Sequence, residues 1–367
     1  MAKKIRLIGG AAVAVLWVVL SLLAWLLPAR DYSLWERRAL QKKPVLTGDA
    51  LLSGSFVDQF EDYAVDQFPF RDPFRSIKAV FTYGVLRQKD NNGIYIADGY
   101  AAKLEKDLND TSVSYALKKF SGIYTRYLQN TDSRIYVTVI PDKGYYLAEA
   151  NGYPAMDYEN LFSQISEGMP WAQMIDISSA LTASDYYRTD THWRQEKLLG
   201  VAKRICSAME ITPPESNVWT PVTVTNQFYG VYYGQAALPM PAEDLLILRS
   251  SVSDNCTVYN HETGKTGSVY DMEKLSGPDP YEVYLSGSQA LLTVENPAAK
   301  TDRELIIFRD SFGSALAPLL LQGYKTVTLV DIRYVSSATL RNYLTFNGQD
   351  VLFAYSTLIL NSSHSLK

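Results

Sequence analysis

Only three histidines occur in the 367 residues, His192, His261 and His364, so an imidazole base has few places to sit. One of them has chemistry around it. The segment YYRTDTHWRQE, residues 186–196, sets Asp190 two residues before His192 and Trp193 directly after it. In an extended or loop backbone, residues i and i+2 project to the same side, so the carboxylate reaches one ring nitrogen and leaves the other free. An oriented general base needs that arrangement: the carboxylate selects the tautomer and stabilises the charge the ring gains on taking a proton. Trp193 either walls such a site or packs. A satisfied structural histidine beside an aromatic is the plainer reading of the same residues.

A second segment, ELIIFRDSFGSALAPLLLQGY, places Ser311 where an apolar strand ends and an Ala/Leu-rich helix begins. Backbone N–H groups at a helix start lack intrahelical partners and favour negative charge, so the Ser311 and Phe312 amides are candidate donors to the oxyanion of acyl transfer. Asp310 and Ser311 are also ordinary helix N-cap residues. Each segment alone is weak; together they supply a nucleophile, a base and an orienting acid.

Other chemistries fit less well. Asp190, His192 and Glu196 form a thin metal-ligand set without a third or fourth partner of the usual kind, so no metal is expected. Cys206 and Cys256 are too far apart in sequence for a CxxC pair and form either one disulfide or two free thiols. No GxGxxG or GxxxxGK[ST] follows a strand, which leaves nucleotide cofactors without a motif. A net charge of −4 offers no field for a polyanion, which argues against nucleic acid. Most of the 26 tyrosines are expected to pack with a wet hydroxyl, although tyrosines can stack on sugars.

The elements that must position these groups read as follows. Residues 7–27, LIGGAAVAVLWVVLSLLAWLL, carry no charge and span roughly 31 Å as a helix. Lys3, Lys4 and Arg6 precede them, which predicts a cytoplasmic tail over 1–6, an uncleaved transmembrane anchor over 7–27 and an extracytoplasmic body. A cleaved signal peptide is the alternative, disfavoured by the length of the apolar run and the lack of an A-x-A site. Residues 28–85 read as a helical juxtamembrane segment broken by Pro69 and Pro73. Residues 86–367 alternate strand-like and helix-like pieces, predicting an α/β domain with a mostly parallel sheet flanked by helices. Strands are expected at residues 135–140, 174–177, 304–308, 326–332 and 351–354, and a helix over 196–209. Between about 213 and 299 the texture turns to Thr, Val, Tyr, Gly and Pro, read as a β-rich insertion.

The combination of TDTHW (Thr189–Trp193), RDSFGSALAPLL (Arg309–Leu320) and VDIRY (Val330–Tyr334) resembles the DHHW family of bacterial surface proteins, relatives of the alginate O-acetylation proteins with SGNH-hydrolase-like domains. ERRAL (Glu36–Leu40) with Pro44, DQFPFR (Asp66–Arg71) and NQFYGVYYGQAA (Asn226–Ala237) extend the resemblance over most of the chain. It implies Ser311 as nucleophile, His192 as base and Asp190 as orienter, with the Asp-x-His pair ahead of the serine. Thr191 stands where the family name has His, and Arg309 stands where ordinary SGNH enzymes have Gly. Arg309 is a candidate for an anionic substrate group, Trp193 for a wall, and Phe312 and Asn361 for oxyanion donors. The resemblance further implies O-acyl transfer, of acetyl groups, to a cell-surface polysaccharide, with no cofactor in the domain. A polytopic membrane acyltransferase is the implied partner, because coenzyme A does not cross the membrane. An SGNH-type esterase or deacetylase, and a non-catalytic glycan-binding surface protein, are the competing functions.

Overall fold

The computed structural model describes residues 2–215 and 218–367. Met1, in the expected tail, and residues 216 and 217, near the start of the expected insertion, lie outside the described residues. The chain forms two compact units, the first made of the span up to Asn91 with Gly234–Pro239, the second of Asn92–Tyr233 with Met240–Lys367.

The first unit begins with helix α1 (Ala2–Leu26), whose stretch Arg6–Leu26 has a mean hydropathy of 2.5 and is long and apolar enough to cross a bilayer. Helices α2 (Ser55–Asp66) and α3 (Arg71–Gly84) follow. An ion-pair cluster joins the two family-like motifs of this unit. Asp66 accepts from Arg38 at 2.6 Å and lies 3.3 Å from Arg71, while Glu36 takes Arg71 and, at 3.2 Å, Arg75. Burial pushes the Glu36 carboxyl up, but Arg71, Arg75 and Arg38 together outweigh it and hold the group below the usual carboxylate range.

The second unit is built on an eight-stranded sheet. Its strands are β1 (Ile135–Ile140), β2 (Gln173–Met174), β5 (Thr257–Asn260), β6 (Lys265–Gly267), β7 (Leu291–Glu295), β8 (Glu304–Arg309), β9 (Thr326–Val330) and β10 (Asp350–Ser356). A separate antiparallel ribbon pairs β3 (Thr220–Phe228) with β4 (Glu243–Arg249). The sheet order is β6-β5-β7-β9-β8-β10-β1-β2, parallel from β9 to β2 and antiparallel at the β7, β5 and β6 edge. Leu305 and Ile307 of β8 face one apolar cluster while Ile306 and Phe308 face another. Both faces are therefore covered, which explains why the central strands read as unbroken apolar runs. Helices α4 (Asp110–Ile123) and α6 (Tyr158–Gly168) supply one cover, and α7 (Leu199–Ala208) lies on the other side. A short helix, α5 (Lys143–Leu147), follows β1.

The expected α/β class with a mostly parallel sheet is the one observed. The β-rich stretch does two jobs, forming the ribbon and lengthening the main sheet by three antiparallel strands. The expected 174–177 strand shrinks to two residues, and the 196–209 helix begins only at Leu199 after a 3-10 turn at Gln195–Lys197. The helix after Ser311, α8 (Phe312–Leu316), is short because Pro318 has no N–H to continue the ladder, and a 3-10 turn takes over at Ala317–Gly323. Cys206 and Cys256 are free and buried; burial pushes their thiols up to about 12 and about 11.

Candidate active site

Ser311 stands at the carboxyl end of β8, where a parallel sheet opens its crevice. Its backbone is helical (φ −61°, ψ −26°) and its hydroxyl makes no cap to the helix that follows. The neighbouring Asp310, fully buried, does the capping instead. One of its oxygens accepts the Phe312 amide at 3.0 Å, and the other accepts the Ser356 amide at the end of β10, 2.8 Å away. Asp310 thus stitches the turn to the adjacent strand and leaves the Ser311 hydroxyl for another partner.

That partner is His192. The segment from Tyr186 to Trp193 folds back on itself, with Tyr186 bridging Trp193 and the Tyr187 amide donating to the His192 carbonyl at 3.1 Å. At the tip, Asp190 Oδ1 accepts both the His192 amide at 3.0 Å and the ring Nδ1 at 2.6 Å. The first contact is a local Asx turn, so spacing by two residues is itself what aims the ring. His192 Nε2 lies 2.7 Å from Ser311 Oγ. Asp190 is fully buried, His192 is nearly so and Ser311 is half-buried. A carboxylate, an imidazole and a hydroxyl therefore stand in one hydrogen-bonded line, able to move a proton from the hydroxyl to the ring.

Buried polar groups hold this loop in the absence of regular secondary structure. Glu243, at the start of β4, accepts the Arg188 and Thr189 amides at 2.8 Å each and the Thr189 hydroxyl at 2.7 Å. The second Asp190 oxygen accepts the Val231 amide at 2.9 Å, and Gly230 presses so close that a Cβ there would lie 2.2 Å from Asp190 Cβ. Only glycine fits. Lys143, at the head of α5, donates to the Tyr187 carbonyl at 2.8 Å and lies over the Tyr232 ring at 5.1 Å. Burial pushes its amine down to about 7, against the pull of the Asp190, Glu243 and Asp142 carboxylates.

Two hydrogen bonds bring the distant segments together. The Trp193 indole donates to the Phe312 carbonyl at 3.1 Å, and the Gln195 amide donates to the Ala315 carbonyl at 2.9 Å. On the imidazole itself, Tyr281 stacks at a centroid distance of 4.0 Å and an angle of 8°, with Phe312 tilted against the ring at 4.9 Å.

The accessory residues expected from sequence fall elsewhere. The Phe312 amide is occupied by Asp310, so it is not a spare oxyanion donor. Asn361 accepts the Asn109 amide at 2.7 Å and donates to Glu105 and the Asp107 carbonyl, fixing the start of α4. Arg309 is fully buried, 3.8 Å from Asp331, and donates to the Gly287 carbonyl at 3.2 Å; it clamps a loop instead of meeting a substrate. Trp193 is fully buried and packs rather than forming a wall. Glu196 pairs with Arg194 at 2.6 Å. Sequence reasoning passed over Glu243, Gly230, Lys143 and Tyr281. The glycine inside NQFYGVYYG and the lysine directly after a buried strand were the available signals.

No protein-family model and no curated protein matches the sequence. Among solved structures, a DHHW family protein from Eubacterium siraeum matches with a TM-score of 0.62, covering 75% of this chain and 94% of that one at 21% identity. The fold is that of a DHHW family protein. PatB1 from Bacillus cereus, in a structure with a sulfonyl adduct, matches at a TM-score of 0.57 and 15% identity over 73% of this chain and 94% of that one. The O-acetyltransferase domain of Pseudomonas putida AlgJ follows at 0.43 and 14%, over 73% of this chain and 92% of that one. At these identities the likeness to the first two is one of fold. The DHHW fold is what TDTHW and RDSFGSALAPLL led us to expect.

Proposed function

We propose that the chain is a membrane-anchored, extracytoplasmic O-acyltransferase that moves acetyl groups to hydroxyls of a cell-surface polysaccharide. The observation that carries this reading is the continuous line from Asp190 through His192 to a half-buried Ser311, with contacts of 2.6 and 2.7 Å. The acetyl and glycan part of the reading comes from the sequence resemblance. The anchor is α1, with the basic residues at its start held in the cytoplasm. A polytopic membrane acyltransferase passing acetyl outward is the partner this arrangement calls for.

In the proposed reaction, Asp190 fixes the tautomer with Nδ1–H toward itself, and Nε2 takes the Ser311 proton as Oγ attacks the acetyl carbonyl. The resulting imidazolium is stabilised by the Asp190 carboxylate. The Ser311 amide at the turn is the donor for the oxyanion, since the Phe312 amide is taken. His192 returns the proton to the departing alcohol, leaving acetyl-serine. A glycan hydroxyl then gives its proton to His192 as it attacks the acetyl-serine, and His192 passes that proton to Oγ as the Ser311–acetyl bond breaks, restoring the free hydroxyl and the neutral ring.

Purified full-length protein with p-nitrophenyl acetate, with and without oligosaccharide, tests the reaction. Acetylated sugar and a burst of nitrophenol are expected, and Ser311→Ala should lose both while retaining its thermal transition. Equal acetyl transfer by Ser311→Ala would remove the mechanism, and acetate release unaffected by sugar would make the protein an esterase.

A further inference from the structure

Helix α3 wears its two faces the wrong way round for a water-bathed helix. Phe70, Phe74, Ile77, Phe81 and Val85 recur at helical spacing and form one charge-free stripe, from 41% exposed at Phe74 to 64% at Ile77. The opposite face carries Arg71, Ala79 and Thr82, all buried, and Arg71 and Arg75 end in ion pairs with Glu36. A surface helix ordinarily turns hydrocarbon inward and charge outward. Here charge is neutralised inside the unit and hydrocarbon is presented outside, which marks a surface with something to bind.

We propose that this stripe lies in the membrane interface, among the lipid headgroups and upper acyl chains of the bilayer that α1 crosses. The inference rests on the reading of α1 as a membrane span. Three observations select lipid over other occupants. The stripe belongs to the same compact unit as α1. The chain around the exit of α1 carries exposed Trp25, Tyr32 and Trp35, side chains with an apolar ring and a polar edge that settle at headgroup level. Exposed Arg30, 3.5 Å from Asp72, Lys42, 3.8 Å from Asp31, and Lys43 in the same connection, with exposed Lys78 beside the stripe, are side chains whose charge suits anionic headgroups. An interfacial helix of this kind would hold the first unit flat on the membrane.

The test uses full-length protein in nanodiscs containing phosphatidylglycerol, with an environment-sensitive fluorophore on Ile77→Cys and, in a second preparation, on Phe81→Cys. Both positions are exposed, and the native cysteines are buried. Labels at Val15→Cys within α1 and at Lys118→Cys on α4 serve as lipid and water references. Spin-labelled lipid should quench the position 77 and 81 probes at least twofold more than the position 118 probe, and iodide should quench them at least twofold less. Probes that behave like position 118 would overturn the proposal. Probes shielded from both quenchers would overturn it in favour of a protein cover, a second copy or a membrane partner. A position 15 probe quenched by iodide and not by lipid would overturn the anchor reading, and the interfacial helix with it, whereas a failure at 77 and 81 alone leaves the anchor standing.

Discussion

Ser311 and His192 meet at 2.7 Å, yet the two are supported in different ways. Ser311 lies two residues past a strand flanked on both sides by parallel neighbours, and one carboxylate, Asp310, completes its turn. His192 sits in an irregular loop whose shape depends on buried polar contacts from three other parts of the chain: Glu243, the Gly230–Val231 backbone and Lys143. A sheet end is rigid through its own ladder, whereas an irregular loop is rigid only while each buried donor and acceptor keeps its partner. The imidazole side of the site should therefore be the more easily disturbed.

The largest effect is expected at Gly230. An added methyl must displace Asp190, and a shift near 1 Å in a catalytic group costs on the order of 100-fold in rate. On the proposed mechanism, Gly230→Ala should slow the nitrophenol burst by about that factor, and it should lower stability by about 2 kcal/mol; a normal burst in this variant would break the comparison. Next come Glu243→Gln and Asp310→Asn, each leaving a buried amide short of an acceptor at a cost of about 2 kcal/mol. Hydrogen exchange should distinguish them, with amides at 187–192 exchanging faster in the first variant and those at 305–309 staying protected in the second. Equal loosening at both places would mean that the sheet does not shelter Ser311.

A smaller change is expected at Tyr281. Loss of a stacked ring against a charged imidazolium is worth about 1 kcal/mol, so Tyr281→Leu should slow the burst about fivefold, while Tyr281→Phe keeps the stack and the rate. The gentlest probe is Lys143. Its folded-state amine titrates near 7, below its unfolded value, so the unfolded chain binds more protons between those two values and stability rises with pH across that window. This one group should contribute at most about 1.4 kcal/mol per pH unit there. Lys143→Met should flatten that slope in urea titrations at pH 7, 8 and 9; an unchanged slope would show that the amine is not titrating in the fold.

The same contrast explains what the chain discloses before folding. Asp190 and His192 were legible because their pairing is a local turn, and Ser311 because an apolar strand followed by small residues announces a strand-to-helix turn. Glu243 and the closeness of Gly230 were not, since Glu243 reaches Thr189 from 54 residues away and Gly230 reaches Asp190 from 40, through ribbon geometry that the local sequence does not specify. Phe312 misled because the first free amide of a helix attracts whichever carboxylate is nearest, and Asp310 was nearer than any substrate. Arg309 misled because a charge at the end of a buried strand suggests a ligand, whereas here it holds the Gly287 loop from within. The three antiparallel edge strands hid in the insertion because β5 and β6 are only four and three residues long.

Cys206 and Cys256 carry a consequence for how such a domain is made. Domains exposed to an oxidising medium commonly owe their sturdiness to cross-links, but here both sulfurs are unbridged and buried. No step of thiol oxidation or disulfide isomerisation is then needed to reach this fold, so reducing agent should leave its thermal transition unchanged.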